Sequence, residues 1–230
     1  MINWDRIEAF IGYGRLDAPV VFIGMEEGLQ QHVPMETDLM LRSRFEPVMD
    51  LREAHQGIAG TDKFFSATPV CQRTWRPMCD LMLRREGVCD PEVATRNRYQ
   101  ATRLGRSHGD TLIAEMLPYP MKNRRDISSW PYSKFGRFET NQAYLATIRP
   151  QRIELLRAAL RCASREVIIC HGKGEWPQFQ AIFGDVHWKL EPPFSIASWK
   201  GVRVILTPQL SHRVFNSDDQ LAQFAGFALR

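Results

Sequence analysis

Four short apolar runs punctuate this chain, over 20–23, 111–117, 166–170 and 202–206, the second interrupted by Glu115. Runs of that length, bounded by turn residues, predict strands buried on both faces. Between them the apolar positions recur at helical spacing. Helices are predicted over 4–11, with Asn3 as cap and Gly12 and Gly14 beyond its end, and over 37–55 with an interruption near Pro47. Further helices are predicted over 73–85 and 91–104, ending at Gly87 and Gly105, and over 140–163 with a break before Pro150. The last two span 176–183 and 217–227, the final one capped by Ser217 with Asp218 and Asp219 in its first turn. Short strands are expected over 187–190 and 194–197. Buried strands alternating with helices predict a three-layer α/β/α fold around a central, mostly parallel four-stranded sheet. No repeat, low-complexity tract or linker-like segment divides residues 1–230, so one domain is expected.

Composition narrows the class. The chain is 44% hydrophobic and 24% charged, the balance of a soluble globular protein. No apolar run approaches the length of a membrane span, and the polar start Met1-Ile2-Asn3-Trp4-Asp5-Arg6 lacks a signal-peptide pattern. A cytoplasmic monomer without a membrane partner is the expectation. Cys71, Cys79, Cys89, Cys162 and Cys170 are odd in number, and no two have C-x-x-C spacing. Buried reduced thiols fit better than a disulfide framework, a zinc ribbon or an iron–sulfur cluster on Cys71, Cys79, Cys89 and Cys162. Neither a metal nor a cofactor is expected.

The formal net charge is +4, which permits a polyanionic partner without demanding one. Cations concentrate between Arg84 and Arg137: Arg84, Arg85, Arg96, Arg98, Arg103, Arg106, Lys122, Arg124, Arg125, Lys134 and Arg137. Arginine suits bidentate phosphate contacts, and it equally makes a solvated helix face.

The chemistry concentrates where strands end. The first buried strand runs into Gly24-Met25-Glu26-Glu27-Gly28, and the last into Thr207-Pro208-Gln209-Leu210-Ser211-His212-Arg213. Open α/β sheets bind ligands at that carboxyl edge, so the two segments can line one pocket. A long polar and aromatic loop over 118–137 is a third candidate, since loops of that length are usually functional or mobile. His171-Gly172-Lys173-Gly174 reads as the turn after the third strand, because it lacks P-loop spacing. Trp75 and Trp176 read as packing residues.

The order of these pieces resembles the uracil-DNA glycosylase superfamily. The pentad 24–28 stands where that family carries a glycine-bracketed turn, with Glu27 in place of its proline. Leu117-Pro118-Tyr119-Pro120-Met121-Lys122-Asn123-Arg124 looks like its proline-rich loop ending in Asn-Arg. The segment 206–213 occupies the place of its His-Pro-Ser motif, with Thr207 at the histidine and His212 five residues on. Glu115 aligns with the asparagine that reads uracil in many members. A carboxylate accepts hydrogen bonds but does not donate to a base carbonyl as an amide does. The departures fit a base with an exocyclic amine better than uracil.

The resemblance implies a glycosylase that hydrolyses the N-glycosidic bond of a damaged or deaminated DNA base. It implies catalytic roles for Glu26 or Glu27, with His212 as a donor to the leaving base. Gly24, Met25, Phe64, Phe65, Glu115 and Thr207 are then base-binding candidates. Lys122, Asn123, Arg124, Arg125, Ser211 and Arg213 are candidates for gripping the DNA, and Gln209 and Leu210 for wedging into its stack. The aromatics Trp130, Tyr132, Phe135 and Phe138 are candidate base-stacking groups. Two alternatives stay open: a nucleic-acid-binding relative without catalysis, and an enzyme acting on a small nucleoside or nucleotide.

Overall fold

The computed structural model describes residues 1–29, 33–56, 58, 60–121, 130–161 and 163–230. In chain order the elements are α1 (Trp4–Ala9), β1 (Gly12–Gly14), β2 (Val20–Gly24), α2 (Met35–Arg42), β3 (Val48–Met49), α3 (Leu51–His55), α4 (Trp75–Arg85) and α5 (Val93–Thr102). They continue as β4 (Thr111–Glu115), α6 (Asn141–Arg161), β5 (Val167–His171), α7 (Trp176–Phe183), β6 (Lys189–Glu191), β7 (Phe194–Trp199), β8 (Val202–Thr207) and α8 (Asp218–Ala228).

The eight strands among the described residues form one sheet in the order β3-β1-β4-β2-β5-β8-β7-β6. The fold is therefore α/β, and the sheet has eight strands rather than four. The four strands read from the apolar runs lie side by side as β4-β2-β5-β8 and are mutually parallel. Antiparallel pairings flank them, β1 against β4 on one side and β8-β7-β6 on the other.

Alternation along the central strands sends side chains to two cores. Val21, Ile23, Leu112, Ala114, Ile168 and Leu206 face one, covered by Ile148, Leu156 and Leu160 of α6 and by Phe179 and Ile182 of α7. Val20, Phe22, Ile113, Ile169 and Ile205 face the other, covered by Met78, Leu81 and Met82 of α4, Tyr99 of α5, and Leu221 and Phe224 of α8. Each fully buried Val, Leu, Ile, Met or Phe among them stabilises the fold by about 1.5–3 kcal/mol of removed apolar surface.

Several expectations are corrected. The helix expected over 37–55 is interrupted near Pro47, as read from the sequence, but the interruption is wider than expected and contains β3, so that α2 ends at Arg42 and α3 begins at Leu51. The Pro47 carbonyl accepts the N–H of Ile11 at 2.7 Å, which ties this interruption to the start of β1. Gly12 and Gly14 do not simply end a helix: they form a strand. A Cβ on Gly12 would stand 2.0 Å from the Ile113 carbonyl oxygen, so only glycine lets the backbones come this close. The expected break before Pro150 does not occur, and α6 runs through it. The buried face of Tyr144, Ile148, Arg152 and Leu156 continues on both sides of the proline. Arg152 also fastens the helix to the sheet, donating to the carbonyls of Glu8, Glu115 and Met116 at 3.0, 2.6 and 3.1 Å. Tertiary contacts thus outweigh one missing helical hydrogen bond.

The loop after β4 is corrected as well. Tyr119, Trp130 and Tyr132 are buried, and Tyr119 stacks on Tyr144 with ring centroids 4.7 Å apart. Phe135 packs on Trp4, and Phe138 on Tyr119 and Tyr144. These aromatics close on the protein's own core instead of offering free faces to bases. Cys79 and Cys170 are buried thiols, and burial pushes both well above the ordinary cysteine range. Cys89 is exposed, against expectation, and Cys162 lies outside the described residues. Among the described residues no helix is long and apolar enough to cross a membrane.

Candidate functional site

The carboxyl ends of β2, β4 and β5 open into a cleft of about 590 Å3. Its floor is the strand-end row itself. Gly24 pairs in register with Glu115, and His171 is the last residue of β5. The segment after β2 is held down by the segment after β4. Met116 and Leu117 donate to the carbonyls of Gly24 and Met25 at 2.9 and 2.6 Å, and Met121 donates to that of Glu27 at 2.9 Å. The pentad is therefore a fixed edge that sets Met25, Glu26 and Glu27 against the cleft.

Gly24 has a steric role. A Cβ there would fall 2.6 Å from Glu115 Oε2 and 3.1 Å from His171 Cε1. Its absence lets the glutamate and the histidine converge over the strand end. His171 is buried, and its Nδ1 lies 3.0 Å from Gln209 Oε1. With Nδ1 donating, Nε2 remains as an acceptor. Burial lowers the affinity of this imidazole for a second proton despite the bond to Gln209.

The three carboxylates differ in environment. Burial pushes Glu27 upward, but Arg42, His55 and the Tyr13 hydroxyl outweigh it and hold Glu27 below the usual carboxylate range. Arg42 is ion-paired to Glu27 and also to buried Asp38, the latter at 2.8 Å. Tyr13, buried beside Glu27, stays protonated far above the ordinary tyrosine range. Glu115 moves the other way. Burial, then the neighbouring charges of Glu27 and Glu26, raise it well above a normal glutamate. Its Oε2 is sealed from solvent and has no hydrogen-bond partner among the described residues. Arg152 answers the Glu115 main-chain carbonyl and makes no bond to the carboxyl.

One wall of the cleft is aromatic: Phe64, Trp75, His55 and Tyr13. Phe64 and Trp75 meet edge to face with centroids 5.6 Å apart, and Trp75 meets His55 at 5.8 Å. His55 donates from Nδ1 to the Leu51 carbonyl at 2.8 Å, and burial lowers the ring's affinity for a second proton although nearby Glu27 favours it. Phe64 is placed by Gln100 of α5, which is fully buried. The Gln100 Nε2 donates to the carbonyls of Phe64 and Val70, and its Oε1 accepts from the Gln72 N–H.

No protein-family model matches this chain, and no curated protein matches it significantly.

The structure gathers Met25, Glu26, Glu27, Phe64, Glu115 and Gln209 around one cleft, with Gly24 beneath. It sends other candidates elsewhere. Phe65 packs on the second core. Thr207 is wholly buried, its hydroxyl donating to the Pro208 carbonyl at 2.6 Å. Leu210, proposed as a wedge, is a core residue with 1% of its surface exposed. His212 is exposed and outside the cleft, its Nδ1 accepting from the Val214 N–H at 3.4 Å. Ser211 is half-buried and Arg213 exposed, both outside the lining. Lys122, Asn123, Arg124 and Arg125 lie outside the described residues.

Tyr13, Arg42, His55 and His171 are among the cleft residues that sequence reasoning missed, and Trp75, read as a packing residue, packs on the second core and also lines the cleft. His171 carried a usable signal, because it ends a buried strand as Gly24 does. Arg42 and Tyr13 carried none, since a helix and a three-residue strand deliver them from outside the strand-end pattern.

Proposed function

We propose that this protein is a monofunctional glycosylase that hydrolyses the N-glycosidic bond of a damaged or deaminated base in DNA. One observation carries the reading. A carboxylate, Glu26, borders a slot with an aromatic wall of Phe64, Trp75 and His55 and a polar end of Glu115, His171 and Gln209. A planar heterocycle fits such a slot, and the groups around it answer each need of the reaction. The four parallel strands and the motif order along their ends support a uracil-DNA glycosylase-like arrangement within the wider sheet.

Cleavage breaks the bond between C1′ and the base nitrogen, and the electron pair leaves with the base. The sugar becomes an oxocarbenium ion, which the Glu26 carboxylate stabilises by its charge. Water adds to C1′ while Glu26 takes its proton. Donors at the polar end of the slot stabilise the anionic base. The products are a free base and an abasic site. Glu27 is tied to Arg42 and Tyr13.

A second reading, an enzyme acting on a free nucleoside, is favoured by one observation. Six cations of the basic stretch are already ion-paired: Arg84, Arg85, Arg96, Arg103, Arg106 and Arg137. One experiment separates the two. Labelled oligonucleotides bearing uracil, hypoxanthine, xanthine, mismatched thymine or alkylated bases, single-stranded and paired, are assayed for base release beside the matching nucleosides. Release from an oligonucleotide, reduced about 100-fold or more in Glu26→Gln, is expected. Release from nucleosides alone selects the second reading. Release unaffected by Glu26→Gln removes Glu26 from the chemistry.

A further inference from the structure

A second pocket of about 280 Å3 adjoins the cleft. The two share Glu26 and Glu175, which therefore mark their junction. Beyond the junction, α6 builds much of the second pocket. Asn141, Leu145 and Arg149 recur every four residues and so share one face of that helix, with Tyr144 beside them. Leu117 and Tyr119, from the segment after β4, add to the lining, and Tyr119 stacks on Tyr144. Arg149 is the cation of this pocket among the described residues. It differs from its neighbours on α6. Arg152 donates to three main-chain carbonyls, and Arg157 to the carbonyls of Ala181 and Ile182 and to Glu154. Arg149 makes no hydrogen bond and no ion pair among the described residues. Its Nε is covered, so what it offers a ligand is its two terminal nitrogens, the fork of N–H donors that grips an oxyanion two oxygens at a time. A half-buried guanidinium that lines a cavity and has no carboxylate of its own suits an anion from outside the chain.

We propose that the second pocket is a phosphate subsite, in which the terminal nitrogens of Arg149 grip a phosphate carried by the sugar of the ligand whose base lies in the cleft. The proposal rests on the glycosylase reading of that cleft and adds a contact to it. In that reading Glu26 stands beside C1′, with the base on one side of it and the sugar on the other. Two pockets that meet at Glu26 accommodate both sides. A nucleotide carries no other anion within the length of its sugar, so phosphate is the group that reaches Arg149. The Asn141 side-chain amide supplies a further donor on the same helix face. Glu26 and Glu175 disfavour an anion at the junction, which leaves the phosphate to the Arg149 end. The phosphate comes either from a free sugar phosphate or from a DNA strand, and the test separates the two.

The test uses the full chain and probes that need no knowledge of the base. By calorimetry, 2-deoxyribose 5-phosphate and an oligonucleotide with a tetrahydrofuran abasic analogue at its centre are titrated into wild type, Arg149→Gln, Arg149→Lys and Arg161→Gln. Arg149→Gln is expected to bind at least about tenfold more weakly than wild type, because a charge-assisted pair of hydrogen bonds is lost. Arg149→Lys keeps the charge without the fork, so it should fall between the two and serves if the glutamine variant does not fold. Arg161 is exposed on the same helix and lines neither pocket, so Arg161→Gln should bind within about twofold of wild type. A loss seen with the sugar phosphate identifies a free phosphate monoester as the ligand group. A loss confined to the abasic strand identifies a phosphodiester of DNA. No loss with either probe, equal losses in Arg149→Gln and Arg161→Gln, or no binding of either probe by wild type overturns the proposal. Phosphate binding that depends on Arg149, with no base released from any oligonucleotide or nucleoside, would sink the glycosylase reading and leave this subsite. Base release and probe binding both unchanged in Arg149→Gln would do the reverse.

Discussion

Two glutamates at one strand edge pull stability in opposite directions with pH. Glu115 is raised in the folded state, so the native protein keeps a proton that the unfolded chain releases above about pH 4.3. The stability tied to that proton is whole below the unfolded value and is lost as the pH climbs toward the folded one. Glu27 is depressed by Arg42, His55 and Tyr13 against its own burial, so its contribution is present at neutral pH and is lost on acidification. Replacing Glu115 by glutamine removes the first effect and leaves the second. Denaturant titrations should therefore give Glu115→Gln and wild type similar stability near pH 4 and a more stable variant at pH 7. The gap should be about 1–3 kcal/mol, the cost of a poorly satisfied buried polar group. A gap that does not change with pH would mean that Glu115 titrates alike in both states. None of this was legible in the sequence. The alignment of strand ends marked Glu115 as a base reader, but its protonation depends on Glu26, on Glu27 and on cations engaged elsewhere.

Elements carried more of their own signal. The four central strands were legible because each is an apolar run long enough to cross a sheet and bounded by turn residues. The short strands β1 and β3 at one end of the sheet were not. One is glycine-tyrosine-glycine and exists because Gly12 admits the Ile113 carbonyl, and the other is two residues long. That failure mattered for the site, because β1 brings Tyr13 to Glu27. The loop between α3 and α4 was legible as a loop, and Phe64 as a candidate within it, but not what fixes it. Gln100 does so with three hydrogen bonds from the second core. Gln100→Ala leaves two carbonyls and an N–H without their partner, at a cost of about 1–3 kcal/mol for each group that water does not reach. Amide hydrogen exchange should accelerate over 64–72 and stay unchanged over 141–161, with binding in the cleft weakened in parallel. Uniform acceleration over both regions would mean that Gln100 supports global stability alone.

At the scale of the whole molecule, the charge distribution sets what kind of nucleic-acid binding is open to this chain. The stretch from Arg84 to Arg137 holds eleven cations, and if each met a phosphate the logarithm of affinity for duplex DNA would fall with the logarithm of salt at a slope of about −10. The structure gives six of them other work. Arg84 and Arg96 share Asp80, at 2.7 and 2.8 Å, and so join α4 to α5. Arg85 spans Asp110 and Glu166, Arg103 meets Glu86, Arg106 meets Asp50, and Arg137 meets Glu8. Arg96 and the Asp80 side chain are almost wholly buried, and breaking such a pair costs about 3–5 kcal/mol, so that pair does not open to meet a strand. Under the proposed glycosylase reading, few phosphates are gripped, and substrate preference comes from the slot more than from the backbone. Binding to an abasic or base-mismatched duplex, measured across salt, should show a slope of about −5 or shallower. A slope near −10 would mean that the paired arginines exchange their carboxylates for phosphates on contact, and that the basic stretch is a footprint after all. A slope near zero, with base release intact from nucleosides, would move the chain from DNA to a small-molecule substrate while leaving the cleft chemistry in place.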